Sequence, residues 1–173
     1  DFKKITEMTI AFPIAYSKTN YLLTFYYSAC LKAATGYFAV GDYKTALKFI
    51  NRIIQDNSSK SFPECLMLSR IMNLMIHYEM KNDSAIDYER HSINYFLKKG
   101  ENPAKLEQEV LNFIRELQRN DLQGGKEKLT AIRENIRAIA SPADDQRNFF
   151  IFTWLDAKTN GISFTAAYQH GFK

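Results

Sequence analysis

The sequence predicts an all-α protein built from antiparallel helix pairs that recur about every 40 residues. Glycine and proline number only 7 and 4 among 173 residues, whereas an all-β fold needs many turn-forming residues. Apolar side chains recur at spacings of three and four residues, the pattern of helices with one buried face. Short polar breaks interrupt this pattern at regular intervals, which indicates a helical repeat.

The clearest break is Gly41-Asp42-Tyr43, which separates the two helices of a predicted pair spanning 19–56. One face of the first helix carries Tyr27, Leu31, Ala34 and Phe38. One face of the second helix carries Tyr43, Ala46, Leu47, Ile50, Ile53 and Ile54. Asp42 is predicted to cap the second helix, because its carboxylate is placed to accept a hydrogen bond from an otherwise unbonded backbone amide of the first turn.

Equivalent breaks follow at intervals of 40 residues, at Lys81-Asn82-Asp83, Asp121 and Gly161. They predict three more helix pairs, which span 61–99, 102–140 and 141–173. Towards the N-terminus, Asp1-Phe2-Lys3 repeats the pattern of Asp42-Tyr43-Lys44. Residues 1–16 are therefore predicted to be the remnant helix of a preceding repeat, closed by Pro13. Together these elements predict one helical repeat domain over 1–173, a fragment of a longer array.

Polar residues also mark predicted helix starts. Ser61-Phe62-Pro63-Glu64 has the spacing of a capping box, in which the Ser61 hydroxyl bonds an amide of the first turn and Glu64 reaches back. In Asn102-Pro103 and Ser141-Pro142, a capping residue precedes a proline, whose missing amide hydrogen costs nothing in a first turn. We therefore expect helices to start at these three places.

On these residues, the segment from Tyr27 to Lys60 resembles a tetratricopeptide repeat (TPR). The matching residues are Ala34, Tyr37, Gly41, Asp42, Tyr43, Ala46 and Leu47. Later units depart from the family pattern: Lys81 or Asp121 replaces the glycine, and the period exceeds the family's length of about 34 residues. The block from Phe149 to Leu155 and the following Ser163-Phe164 resemble the C-terminal region of TPR-like proteins of Bacteroidetes. The resemblance implies a TPR-like α-solenoid of about four helix pairs and implies no activity.

Charge and hydropathy limit the class of partner. The net charge is +4, but basic and acidic residues alternate from Glu107 to Arg137, as they do on a solvated helical surface. Nucleic-acid binding is therefore not favoured. No apolar run approaches the ~18 residues of a membrane span, and no signal peptide is visible. The cytoplasm is taken as the default location.

The sequence contains no recognisable catalytic or metal-binding motif, so we predict neither an enzyme nor a cofactor. Cys30 and Cys65 lie in apolar stretches, and two thiols in a reducing compartment are favoured over one disulfide. His77 falls where Tyr37 falls in the first unit and is interpreted as a helix-packing residue. Gly124-Gly125-Lys126 lacks the remainder of a phosphate-binding loop and is interpreted as a turn.

The TPR resemblance implies that the first helix of each pair lines a concave face. The implied contact residues of that face are Leu31, Thr35, Phe38, Ile71, Met75 and Tyr78. The Lys, Arg and Asn of a carboxylate-binding TPR groove are absent from it. Two interpretations stay open: a short array closes on itself and buries this face, or an apolar helix or peptide binds in it. Residues 1–16 are one segment that could fill the groove.

The predicted function is a protein–protein interaction or scaffold module with no catalytic activity of its own. Its partner is an unidentified protein or peptide. The alternative is a regulatory sensor domain that binds a short peptide or small ligand. Both rest on analogy with the fold, and neither specifies an oligomeric state.

Overall fold

The computed structural model describes residues 20–99, 105–118, 125–140 and 149–171. Within these ranges the secondary structure is helical and includes no strand, so the prediction of an all-α protein is confirmed. The helices are α1 (Asn20–Ala39), α2 (Tyr43–Ile54), α3 (Pro63–Glu79), α4 (Asp83–Lys99), α5 (Lys105–Gln118), α6 (Gly125–Ile139), α7 (Phe149–Asn160) and α8 (Phe164–Gly171). A 3-10 helix, Asn57–Ser61, lies between α2 and α3. The chain forms two compact units, 1–89 and 90–173.

In the first unit, α1 packs against α2, and α2 packs against α3. Ala34 on α1 and Ala46 on α2 are both fully buried, as expected of small residues that let paired helices approach closely. Aromatic rings fill the space beside them. The rings of Tyr37 and Phe49 stack with centroids 5.7 Å apart. The core of this unit is therefore apolar between α1 and α2.

Three helix pairs are joined by the same kind of turn. A residue with positive φ follows α1, α3 and α7: Gly41 at 80°, Lys81 at 55° and Gly161 at 66°. Positive φ reverses the chain direction at a helix end and suits glycine, which has no Cβ. These residues stand 40 and 80 positions apart, as the sequence period predicts. The fourth predicted break, Asp121, lies outside the described residues.

The backbone hydrogen bonds of these turns also correspond. The amide of Asp42 donates to the Tyr37 carbonyl at 2.9 Å, and the amide of Asn82 donates to the His77 carbonyl at 3.0 Å. The side chain of Asp42 then accepts from the Thr45 amide at 3.1 Å. This confirms the predicted cap of α2. The first and second helix pairs thus end and restart by the same local chemistry.

The predicted capping box at Ser61-Phe62-Pro63-Glu64 is wrong. Phe62 is the N-cap of α3 and its side chain makes no capping hydrogen bond, because Ser61 ends the preceding 3-10 helix. Phe62 instead packs edge-on against Tyr27, with ring centroids 5.6 Å apart. Pro63 has no amide hydrogen to satisfy in the first turn, which lowers the need for a polar cap. The predicted starts at Asn102-Pro103 and Ser141-Pro142, and the remnant helix over 1–16, lie outside the described residues.

In the second unit, α6 packs against α5 and α7, and α8 packs against α7. Phe113 on α5 and Trp154 on α7 are buried and meet edge-on, with ring centroids 5.9 Å apart. Asp156 on α7 accepts hydrogen bonds from Arg133 and Arg137 of α6, at 3.2 and 2.7 Å. Apolar burial therefore forms the core of this unit, and an ion-pair cluster joins α6 to α7 at its surface.

Candidate functional site

The six residues predicted to line a concave face lie on α1 and α3 of the first unit. Each set of three has the spacing i, i+4, i+7, which places its members on one face of their helix. Three of the six are buried: Phe38 is 2% exposed, and Ile71 and Met75 are 0% exposed. The other three, Leu31, Thr35 and Tyr78, are half-buried.

The local contacts agree with this division. The ring of Phe38 lies 5.4 Å from that of Tyr43, between centroids. The Thr35 hydroxyl donates to the carbonyl of Leu31 at 2.9 Å, so its polar group is occupied within α1. Burial, with a smaller effect of Glu79, raises the pKa of Tyr78. The side chains of Phe38, Ile71 and Met75 are therefore packed inside the protein.

The solvent-exposed side of α1 carries aromatic side chains that were not among the predicted contact residues. Tyr21 is 90% exposed and Phe25 is 56% exposed. Their spacing continues through Ser28 and Lys32, which are also exposed, so the four residues share one face of the helix. Lys32 is the single charged residue in the 20 residues of α1. We call Tyr21, Phe25, Ser28 and Lys32 the α1 outer face.

The scarcity of charge was the signal available in the sequence. A helix with a solvated side normally carries several charged residues there, and α1 carries one. The apolar period through Tyr27 and Phe38 marks the inner face of the helix. Tyr21 and Phe25 are the same kinds of residue as Tyr27 and Phe38. The two pairs differ in the side of the helix on which they lie, and only the folded structure shows which side is buried.

A second group of polar side chains comprises three residues of α3 and one of α4. Arg70, Asn73 and His77 lie on one stripe of α3, at the spacing i, i+3, i+7. Nη1 of Arg70 lies 3.1 Å from Oε2 of Glu89 on α4, and these two side chains are 14% and 6% exposed. Asn73 is 4% exposed. Of these four residues, only His77 stands out in the sequence, because the pairing of Arg70 with Glu89 depends on how α3 and α4 pack.

Three atoms of this group are unsatisfied, one of them Nε of Arg70, whose Nη1 pairs with Glu89. Oδ1 of Asn73 and Nδ1 of His77 are buried and have no hydrogen-bond partner in the part of the chain that the structure describes. Burial lowers the pKa of His77, and the negative charge of Glu89 partly opposes that shift. The half-buried imidazole is therefore held in its neutral form more strongly than an exposed one.

Cys30 and Cys65 are free thiols in this structure, which agrees with the interpretation of two thiols rather than one disulfide. Burial raises the pKa of each to about 11, so both are protonated at neutral pH. Among the described residues, no three His, Cys, Asp or Glu side chains group as metal ligands would. His91 is exposed. The side chain of His170 is not among those that the structure describes.

Two further findings bear on what the chain resembles. Within the described ranges, no helix combines the length and the apolar character that crossing a bilayer requires. Comparison with protein-family models, with curated proteins and with solved structures finds no match to this chain.

Proposed function

We propose that this chain is a protein–protein interaction module that binds its partner through the α1 outer face and has no catalytic activity of its own. One observation carries the proposal: Tyr21 and Phe25 are largely exposed on a 20-residue helix that has a single charge. Aromatic side chains dominate the energetics of protein interfaces, and charged residues are depleted at interface centres. The α1 outer face has this composition.

The proposal includes a TPR-like stacking of the helix pairs. It is supported by the turns at Gly41, Lys81 and Gly161, which share positive φ at positions 40 and 80 residues apart. In such an array the first helix of each pair faces the partner, and α1 is the first helix of its pair. The half-buried Leu31, Thr35 and Tyr78 would flank the contact. The buried Phe38, Ile71 and Met75 would support it from inside.

The partner surface that fits the α1 outer face is apolar and uncharged. Tyr21 and Phe25 offer ring surface, and Ser28 adds a hydroxyl group between them and Lys32. An apolar helix or extended segment of another protein would bury these two rings, with the charge of Lys32 at the solvated edge of the contact. Truncation of an aromatic residue that is a hot spot at the centre of such a contact weakens the binding free energy by about 2 kcal/mol or more.

The test compares two double variants that remove side chains of similar exposure. The test variant is Tyr21→Ser with Phe25→Ser, and the matched control is Val40→Ser with Tyr88→Ser, whose side chains are 78% and 69% exposed. Proteins captured from native lysate by each form would be compared by quantitative mass spectrometry. The affinity of a purified candidate partner would then be measured by titration calorimetry, with helix content checked by circular dichroism.

We expect the test variant to keep its helix content and to bind the partner at least about 30-fold more weakly, as the loss of one strong contact residue implies. The control should bind like the unmodified chain. A partner that binds both variants equally well would contradict the proposed contact face. Equal weakening by both variants would show a non-specific loss of apolar surface instead.

A further inference from the structure

The α1 outer face has the spacing with which helices pack along one another. Tyr21, Phe25, Ser28 and Lys32 follow at intervals of four, three and four residues. This alternation keeps side chains on the line along which two aligned helices touch. Between the first and the last of these residues the helix rises about 16 Å, or three turns. The spacing therefore favours a second helix as the occupant of this face.

The side chains of the face are arranged unevenly along it. The N-terminal half carries two rings, since Tyr21 and Phe25 are 90% and 56% exposed. The C-terminal half carries the small Ser28 and the cationic Lys32, both exposed. Packed helices place large side chains against small ones, and like charges set opposite each other weaken an interface. The face therefore fits a helix that offers a small residue to Phe25 and a ring to Lys32.

A second copy of α1 in the antiparallel orientation offers these two groups. With a two-fold axis midway between Phe25 and Ser28, each of these residues lies opposite the other in the second copy. The same axis sets Tyr21 opposite Lys32, where the ammonium group meets the face of the ring in a cation–π contact. Each contact occurs twice, because a two-fold interface uses the same patch on both copies. The face is thus complementary to itself.

The parallel orientation lacks this complementarity. It would set Lys32 of one copy against Lys32 of the other, and Phe25 against Phe25. The first pair repels, and the second leaves the small Ser28 without a large side chain to fill the space above it. Since Lys32 is the single charged residue among the 20 residues of α1, it is the residue that distinguishes the two orientations.

The area of the face sets the strength of the contact. An aromatic side chain buries about 150–250 Å², so at the exposures of Tyr21 and Phe25 the four rings of two copies would bury on the order of 600 Å². Stable protein interfaces bury about 1,200 Å² or more. We therefore expect a weak dimer, with a dissociation constant between about 10 μM and about 1 mM.

We propose that the α1 outer face binds the α1 outer face of a second copy of this chain, in antiparallel orientation about an axis between Phe25 and Ser28. This inference rests on the proposed function and names the partner of the same face. It requires no other protein, so it is testable on the purified chain.

Sedimentation velocity over about 5–500 μM, a range that overlaps the expected dissociation constants, tests the dimer on the whole chain. The test variant is Tyr21→Ser with Phe25→Ser, and the matched control is Val40→Ser with Tyr88→Ser. Lys32→Glu is a third variant, which keeps both rings and reverses the charge. Circular dichroism checks the helix content of each form.

We expect the unmodified chain and the control to dimerise as the concentration rises. The test variant should stay monomeric, which corresponds to a loss of at least about 30-fold in affinity. Lys32→Glu should weaken the dimer about 5- to 30-fold, because two cation–π contacts are lost in each dimer. In the parallel orientation the same substitution would relieve no contact with Tyr21 and would leave the affinity unchanged or repulsion between like charges in place.

The orientation is tested directly by mixing Tyr21→Cys chains with Lys32→Cys chains at about 500 μM, the upper end of that range, under mild oxidation. A disulfide requires facing residues, with Cα atoms about 4.4–6.8 Å apart. The antiparallel dimer should give a mixed disulfide between the two variants, identified by mass spectrometry, in preference to disulfides between like chains. The unmodified chain shows how much Cys30 and Cys65 contribute.

A chain that stays monomeric at every concentration would overturn this inference. So would a dimer that persists in the folded test variant, or disulfides that form between like chains in preference to the mixed pair. The proposed function is judged separately by capture from lysate: another protein that binds the unmodified chain and is lost by the test variant would support it even if the chain alone is monomeric.

Discussion

Phe25 and Phe38 lie on the same helix and have opposite environments. Phe25 on the outer side of α1 is 56% exposed, whereas Phe38 on the inner side is 2% exposed. Burial of an aromatic ring contributes to stability through lost water contact and through close packing. An exposed ring buries less surface and contributes less to stability.

This difference predicts opposite results for two alanine substitutions. Phe38→Ala should lower the free energy of unfolding by about 3–5 kcal/mol, because it removes a packed ring and leaves a cavity. Phe25→Ala should lower it by about 1 kcal/mol or less, as is usual for exposed positions. Urea unfolding followed by circular dichroism measures both. Similar losses for the two variants would show that the outer ring is also part of the core.

The hydrogen bond between Tyr27 and Asp56 gives a prediction that depends on pH. The phenol of Tyr27 donates to Oδ2 of Asp56 at 2.7 Å. Burial raises the pKa of Asp56, but hydrogen bonds from Tyr27 and Ser58 outweigh that effect, and the pKa falls below 3.8. A carboxylate whose pKa is lowered by folding contributes stability above its unfolded pKa and loses it as the pH falls through the folded pKa.

Tyr27→Phe should therefore lower the free energy of unfolding by roughly 1.5–3 kcal/mol at neutral pH, the range for a hydrogen bond to a charged group. The difference in the free energy of unfolding between Tyr27→Phe and the unmodified chain should become smaller as the pH falls below 3.8. Urea midpoints measured across this range give the result. A difference that stays constant with pH would mean that Tyr27 stabilises the fold through its ring alone.

At the scale of helices and turns, two equivalent positions carry different residues. Gly41 and Lys81 both have positive φ and both precede a helix-capping side chain. No atom lies within 4 Å of a Cβ placed on Gly41, so only the backbone conformation favours glycine there. Lysine at the second position adopts a conformation that costs about 1 kcal/mol or more for a residue with a Cβ.

Substitutions at these two turns should change the stability of the chain in opposite directions. Gly41→Ala should destabilise the chain by about 1 kcal/mol, since alanine is strained at positive φ. Lys81→Gly should stabilise it by up to about 1 kcal/mol, less the entropy that glycine adds to the unfolded chain. Thermal and urea unfolding of both variants check the signs. Destabilisation by Lys81→Gly would show that the lysine side chain makes a compensating contact.

At the scale of the whole molecule, the predicted all-α class follows from local properties that a sequence displays directly. Scarce glycine and proline, apolar residues at helical spacing and regular polar breaks are all readable before folding. The breaks at Gly41, Lys81 and Gly161 coincide with the observed helix ends, because a left-handed residue ends a helix by its own backbone geometry. Local chemistry also located the cap at Asp42.

Helix starts were less predictable where two elements compete for the same residues. Ser61 has the side chain of a capping residue, yet the 3-10 helix before α3 includes it. The ring of Phe62 takes the N-cap position because it packs on Tyr27 of α1. That contact joins residues 35 positions apart, and no local pattern contains it.

By itself, therefore, the sequence determined the helical class, the positions of helix breaks and the low charge of α1. Only the tertiary structure decided that Phe38 is buried while Phe25 is exposed, and that Arg70 meets Glu89 19 residues away. The physical reason is that helix ends depend on neighbouring residues in the chain. Burial and ion pairing depend on side chains that folding brings together from distant positions.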